Sequence, residues 1–131
     1  MDADFASLTV AESAGVYNIR HRAYYFSKNV VLFIKDLKIE RPFMGMYEQL
    51  VNAATSIGAN LVEGVAGASK RDFLDFNTIS LKSANETKYW LCLIRDTLEC
   101  DKTKMQSLIN EANEISKIIA SIIINSKKLS K

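Results

Sequence analysis

The chain has 131 residues, of which 48% are hydrophobic and 24% are charged. This length suits one domain with its own core, and the composition excludes a disordered chain. A formal net charge of +2 excludes binding of nucleic acid through overall charge alone, although it permits a local phosphate-binding patch. One proline and five glycines leave few helix breakers, which favours long helices joined by short turns.

Residues 1–14 show no clear periodicity and are predicted to be a loose arm, which precedes a single domain over residues 15–131. The arm contains acidic residues and no basic residue, which argues against a signal peptide. A helix is predicted over residues 16–37, because apolar residues follow one another at steps of three and four. This apolar seam consists of Val16, Ile19, Ala23, Phe26, Val30, Phe33 and Leu37.

Pro42 interrupts the periodicity, so residues 38–45 are predicted to form the first loop. A second helix is predicted over residues 46–65, and Gly64 and Gly67 mark its end. Its apolar face repeats at the same steps, and a polar stripe runs beside that face. The stripe consists of Gln49, Asn52, Ser56, Asn60 and Glu63.

Ser69 is predicted to cap the third helix, with Asp72 three residues later as in a capping box. This helix spans residues 70–98 and has two apolar faces, which indicates burial from more than one side. A fourth helix is predicted over residues 103–127. Its isoleucine-rich end continues the upstream seam, so it is predicted to be helical despite its β-propensity.

Four helices joined by short loops predict an all-α fold, an antiparallel up-down-up-down four-helix bundle. The first, third and fourth helices carry more apolar residues than one stripe requires. Such a surplus favours a homo-oligomer, because an exposed apolar patch usually marks an interface. The alternative is that the helices splay and bury both faces within one chain.

Few residues suggest chemistry. Nucleotide-binding loops and clusters of metal ligands are absent from the sequence, and no cofactor or metal is expected. The single histidine, His21, is predicted to be solvated. Glu63 and Glu86 are positioned to face each other between helices 2 and 3, where acid–base catalysis is one interpretation. The favoured interpretation is structural: with Asn60 they form a polar network or lie at an oligomer interface.

Basic residues fall on the first helix, at the start of the third helix and at the C-terminus. Solvated helix faces usually have this composition. A ring of copies would multiply such a patch, which could then follow a nucleic-acid backbone. The candidate nucleic-acid-binding residues are Arg20, Arg22, Lys28, Lys70 and Arg71.

Several short motifs follow one another in order between Gln49 and Trp90. They are Ala53-Ala54-x-Ser56-Ile57-x-x-Asn60, Glu63-Gly64, Ser69-x-x-Asp72-Phe73, Leu81-Lys82-Ser83-Ala84-x-Glu86-Thr87 and Tyr89-Trp90. On these motifs the chain resembles the small bacterial four-helix-bundle proteins first noticed in intervening sequences of 23S rRNA genes. It departs from them at Val51 and Asn52, positions that are often basic, which weakens a nucleic-acid surface on the second helix.

The resemblance implies a ring, a homopentamer, with no known catalytic activity. It also implies nucleic-acid binding, because the related accessory proteins of diversity-generating retroelements share the bundle and partner a reverse transcriptase and RNA. We therefore expect a cytoplasmic, non-enzymatic oligomer that binds RNA or DNA, with no membrane and no small-molecule substrate. The alternative is a protein–protein interaction scaffold with no nucleic-acid role.

Overall fold

The computed structural model describes residues 14–129, with side chains from residue 19 onward. It contains four α-helices and no strand in this range, which confirms the all-α class. The arm predicted for residues 1–14 lies outside the described residues, apart from Ala14, which begins the first helix. The helices are α1 (Ala14–Lys35), α2 (Met44–Ala66), α3 (Lys70–Thr97) and α4 (Lys102–Leu129).

The connection between α1 and α2 covers residues 36–43 and so lies two residues earlier than predicted. A 3-10 turn, Arg41–Phe43, contains Pro42 and leads directly into α2. Gly45 was predicted to belong to the loop, but it lies in the first turn of α2. The cost there is small, because the first turn of a helix has few intrahelical hydrogen bonds to lose.

The described residues of the predicted seams line the core, whereas the side chain of Val16 lies outside the described residues. On α1, Ile19, Ala23, Phe26 and Val30 are buried, whereas Phe33 packs at the edge of the core. The isoleucine-rich end of α4 is helical, as predicted. The buried apolar side chains of α4 are Met105, Leu108, Ala112, Ile115, Ile119 and Ile123.

The α2–α3 interface is built from small and polar residues. The Ser80 hydroxyl is fully buried and donates a hydrogen bond to the Ile57 carbonyl at 2.8 Å. The hydroxyls of Ser56 and Ser83 share a hydrogen bond of 2.9 Å across the same interface. Small side chains let the two helices approach closely, and each buried hydroxyl has a partner. Much of the motif-bearing stretch therefore serves the packing of these two helices.

Ser69 caps α3 as predicted. Its hydroxyl accepts a hydrogen bond of 3.1 Å from the Asp72 amide, and the Asp72 carboxylate accepts one of 3.3 Å from the Ala68 amide. The first bond satisfies one of the free amides at the N-terminus of α3, and the second holds the residue that precedes the cap.

Contacts between helices fix their mutual register. The Ser27 hydroxyl donates to the Ala54 carbonyl at 3.0 Å, and a Cβ added at Gly58 would lie 3.5 Å from the Ala23 Cβ. Residue numbers on α2 thus fall as those on α1 rise. The same relation holds between α3 and α4, where Lys88 donates to Ser116 at 3.2 Å and Arg95 to Gln106 at 3.1 Å. Finally, α1 lies against α4, so each helix contacts two others.

The apolar surplus is divided between interior and surface. Ile123 of α4 is buried, and Ile109 and Ile118 pack against the core. Several aliphatic side chains nevertheless remain exposed, including Ile124 at 53%. Among residues 14–129, no helix is both long and apolar enough to cross a membrane.

Candidate nucleic-acid interface

Charge is distributed unevenly over the four helices. Four Lys or Arg residues and no acidic residue occur in α1, and five Lys residues against two Glu occur in α4. This helix pair therefore carries seven net positive charges. In contrast, α2 has two Glu and no basic residue, and α3 has five basic against four acidic residues, which leaves one net negative charge on that pair. The net charge of +2 conceals a strongly basic half of the molecule.

A groove runs between α1 and α4. Its main cavity has a volume of about 660 Å³, and a second hollow of about 300 Å³ continues it. Asn29, Ser107 and Leu108 line both cavities, so the two form one continuous surface. Phe26 and Leu108 are buried and form an apolar floor, whereas Tyr25, which also lines the groove, is 36% exposed.

Arg22 lies in this groove and is paired with Glu111 of α4. The guanidinium donates from Nε to Oε2 at 2.9 Å and from Nη2 to Oε1 at 2.6 Å. The hydrogen bonds to Glu111 raise the pKa of Arg22 above its usual value. A guanidinium held in this way would have to leave Glu111 before it could bind a phosphate. The candidate Arg22 is thus a link between two helices in this conformation.

Arg20 is buried, with 1% of its surface exposed. Burial lowers the pKa of Arg20 to about 10, so that the side chain remains protonated at neutral pH. The expectation that it belongs to a solvated helix face was wrong. Arg20 precedes Ala23 by three residues and lies roughly 60° from it around the helix, next to the core stripe. In this conformation its guanidinium is not presented to a nucleic acid.

Lys28 is the candidate that the structure places beside the groove and in solvent. Its Nζ lies 5.7 Å from the centre of the Tyr25 ring, within the range of a cation–π contact. Lys104 of α4 is also exposed and lines the second hollow together with Asn29. Two ammonium groups, one from each helix, therefore border the groove.

Lys70 and Arg71 are exposed at the start of α3 and belong to a different patch. Arg71 approaches Asp75 at 3.9 Å, and both side chains are mostly solvated, so this ion pair contributes little. The helix register places Lys70 about 24 Å from the level of Lys28 along the bundle. The five candidate residues are accordingly not assembled into one site.

The polar residues Asn60, Glu63 and Glu86 are also separated. The Asn60 amide donates to the Ser56 carbonyl and hydroxyl, both at 2.8 Å, and so joins the Ser56–Ser83 contact between α2 and α3. The structure supports a polar network for Asn60.

Glu63 and Glu86 do not face each other as expected. Both are exposed, and Glu86 accepts a hydrogen bond of 3.0 Å from the Trp90 indole. Because Ser56 lies opposite Ser83, the register separates the two glutamates by roughly 15 Å along the bundle. A shared proton between these carboxylates is excluded at that distance.

Other reactive side chains are scattered. His21 is half-buried and lines the α1–α4 groove, in contrast to the predicted solvated position. Cys92 and Cys100 are free thiols. Within the described residues, no three His, Cys, Asp or Glu side chains come together in a way that would hold a metal ion.

Most residues of the groove could not be identified from the sequence. These residues come from two helices at opposite ends of the chain, and a single sequence does not fix the register between the two helices. They include Tyr25, Asn29, Lys104 and Ser107. One signal was available, namely the count of charges helix by helix. It would have singled out α1 and α4 as the basic pair.

Comparison with known protein families identifies the family of this chain. The family model described as 23S rRNA-intervening sequence protein matches residues 17–121, which include both walls of the groove. The chain belongs to this family. The resemblance drawn from the motifs of α2 and α3 is thereby confirmed. The relation to retroelement accessory proteins stays a prediction.

A solved relative agrees with this assignment. It is the crystal structure of a protein with unknown function from the S23 ribosomal protein family of Bacteroides thetaiotaomicron VPI-5482. The two chains are 34% identical with a TM-score of 0.77, over 83% of this chain and 97% of that one. A comparison with curated proteins found no match.

Proposed function

We propose that this member of the 23S rRNA-intervening sequence protein family is a non-enzymatic, cytoplasmic homo-oligomer that binds RNA through the basic α1–α4 half of each copy. One observation carries the proposal: seven net positive charges lie on that helix pair and one net negative charge on the other. Such a separation attracts a polyanion to one side of the molecule, even though the whole chain is nearly neutral.

The proposed subunit is an antiparallel up-down-up-down bundle, in keeping with the opposite running of residue numbers between neighbouring helices. The proposed assembly is a ring, specifically the homopentamer that the resemblance implies. Aliphatic side chains exposed on three different helices support self-association, since such surfaces are usually covered. They include Val31 of α1, Ile79 of α3 and Ile124 of α4.

Assembly would also strengthen RNA binding. One copy offers two exposed ammonium groups beside the groove, Lys28 and Lys104, which make a weak site by themselves. Identical sites in a ring act together on one strand, because the second contact becomes intramolecular once the first has formed.

The RNA proposal is tested by measuring fluorescence anisotropy of a labelled single-stranded RNA over a range of salt concentrations. Wild-type protein is expected to bind more weakly as salt rises, because binding releases counterions from the phosphates. The variant Lys28→Gln/Lys104→Gln should bind less tightly. The slope of its salt dependence should be smaller by about 0.7 for each phosphate that a copy no longer neutralises.

The matched control is Lys82→Gln, an equally exposed lysine on α3, outside the basic helix pair. It should leave both affinity and slope unchanged. Equal losses of affinity in the control and in the double variant would contradict the assignment of the α1–α4 face. Measuring a DNA oligonucleotide of the same sequence shows whether the affinity depends on the sugar.

The exposed aliphatic side chains also support the second candidate, a scaffold that binds another protein and no nucleic acid. Light scattering in line with size exclusion separates the two. A mass of several copies means that self-association covers the surface. A monomer that binds no RNA at low salt would favour the scaffold.

A further inference from the structure

The groove between α1 and α4 combines three kinds of surface. Tyr25 is partly exposed, with Lys28 Nζ 5.7 Å over its ring and the Tyr24 ring at a centroid distance of 5.5 Å in an edge contact. Asn29 and Ser107 are exposed polar side chains that line both hollows. Between them lies the buried apolar floor of Phe26 and Leu108. The groove is of a size that holds small organic groups in proteins.

A nucleobase matches each of these surfaces. Its flat face stacks on an aromatic ring, and its edge carries both hydrogen-bond donors and acceptors. An asparagine amide offers two donors and an acceptor, and a serine hydroxyl offers both functions. Lys28, whose Nζ lies over the Tyr25 ring, and Lys104 in the second hollow are the ammonium groups that could bind the phosphates next to such a base.

We infer that the α1–α4 groove holds an unpaired base of a single-stranded nucleic acid, stacked on Tyr25 and hydrogen-bonded by Asn29 and Ser107. This inference rests on the proposed function and adds to it the site and the kind of strand. A duplex fits poorly, because its bases are stacked and paired and its deep groove does not admit side chains. An acidic peptide would also satisfy the two lysines, but its carboxylates have no flat face to stack on the Tyr25 ring.

The experiment compares four labelled probes of equal length by fluorescence anisotropy. They are oligoadenylate RNA, the corresponding DNA, an adenine–uracil RNA duplex, and an abasic phosphodiester that keeps the phosphates but has no bases. The groove predicts that the first two bind more tightly than the duplex and the abasic probe. A difference in affinity between RNA and DNA would show which sugar the protein prefers and would not contradict the base site.

Variants locate the site. Tyr25→Leu is expected to weaken oligoadenylate binding by about 5- to 150-fold, the usual contribution of one stacked base, and to leave abasic binding unchanged. Tyr25→Phe keeps the ring and should retain the affinity. The control Tyr89→Leu removes a tyrosine of α3 that is 60% exposed and does not line the groove, and it should have no effect.

A second variant tests the same site in case Tyr25→Leu does not fold. Ser107→Met fills the same groove from the α4 side and should again weaken oligoadenylate but not the abasic probe. If the abasic probe binds as tightly as oligoadenylate, the base site is overturned while the proposed RNA-binding function stands. If no probe binds even at low salt, the proposed function itself fails.

Discussion

The Arg22 guanidinium on α1 and the Glu111 carboxylate on α4 form a bidentate ion pair across the groove. The two hydrogen bonds measure 2.9 and 2.6 Å, and the side chains are 38% and 35% exposed. The geometry is that of a strong charge-assisted contact, whereas the exposure weakens it by solvent screening. The pair therefore ties together the two helices that form the groove without belonging to the core.

We expect a double-mutant cycle with Arg22→Gln and Glu111→Gln to give a coupling of about 1 kcal/mol in the free energy of unfolding. Urea-induced unfolding measures it, and high salt should reduce it because the pair is partly solvated. The Lys117–Glu114 pair, at 3.8 Å and mostly exposed, is the control and should couple weakly. Equal coupling in both pairs would show that the bidentate geometry adds nothing to the coupling energy.

Ser80 is expected to tolerate few replacements. Its hydroxyl is fully buried against the Ile57 carbonyl, so Ser80→Ala should lower the free energy of unfolding by about 1 kcal/mol. Ser80→Val should cost about 1–3 kcal/mol more, because the added methyl groups overfill a close helix contact. Thr55→Ala removes a similar bond of 2.8 Å on the exposed face of α2 and should change stability by less than about 0.5 kcal/mol. A larger loss at Thr55 than at Ser80 would count against the close α2–α3 packing.

Two glycines of α2 should respond differently to alanine. A Cβ at Gly58 would meet Ala23 at an ordinary 3.5 Å, so Gly58→Ala should stabilise the protein by about 0.5–1 kcal/mol through helix propensity. A Cβ at Gly64 would approach Asn77 Nδ2 at 3.2 Å and Phe76 Cβ at 3.3 Å, so Gly64→Ala should lose much of that gain. Thermal unfolding compares the two variants, and a Gly64→Ala protein as stable as Gly58→Ala would refute the tight contact.

Tyr47 should make the protein more sensitive to alkali. Burial, with a smaller contribution from the charge of Cys100, raises the pKa of Tyr47. Tyr47 then ionises first in the unfolded chain, at about pH 10, because its pKa there is lower than in the folded protein. The stability that depends on the neutral phenol is therefore complete below about pH 10 and is lost as pH rises through the folded pKa. The melting temperature of Tyr47→Phe relative to wild type should be constant from about pH 7 to 9 and should shift in favour of the variant above about pH 10. Tyr89→Phe, at an exposed position, is the control; the same shift there would remove the role of burial.

The helices could be predicted closely because their signals are local. Pro42 and the Ser69–Asp72 cap mark boundaries along the chain, and a spacing of three and four identifies a core face. The predicted and observed helix ends differ by at most two residues. The end of α1 at Lys35 and the start of α2 at Met44 each lie two residues before the predicted position.

The site could be predicted only in part, because it depends on contacts between distant parts of the chain. The sequence marked Arg20 and Arg22 as basic, but it did not show that one is buried and the other bound to Glu111. Likewise, Glu63 and Glu86 lie on neighbouring helices, and only the register separates them. A periodic pattern gives the inward face of a helix, whereas the depth of each residue depends on which helix lies opposite.

The segregation of charge between the two helix pairs gives the molecule an electric dipole moment directed across the bundle. In the field of a polyanion such a molecule would turn before contact, so that many random encounters would become productive ones. The effect is kinetic and acts over several ångströms of solvent, and added ions shorten its range. A protein with almost no overall charge would thus approach its ligand from a chosen side.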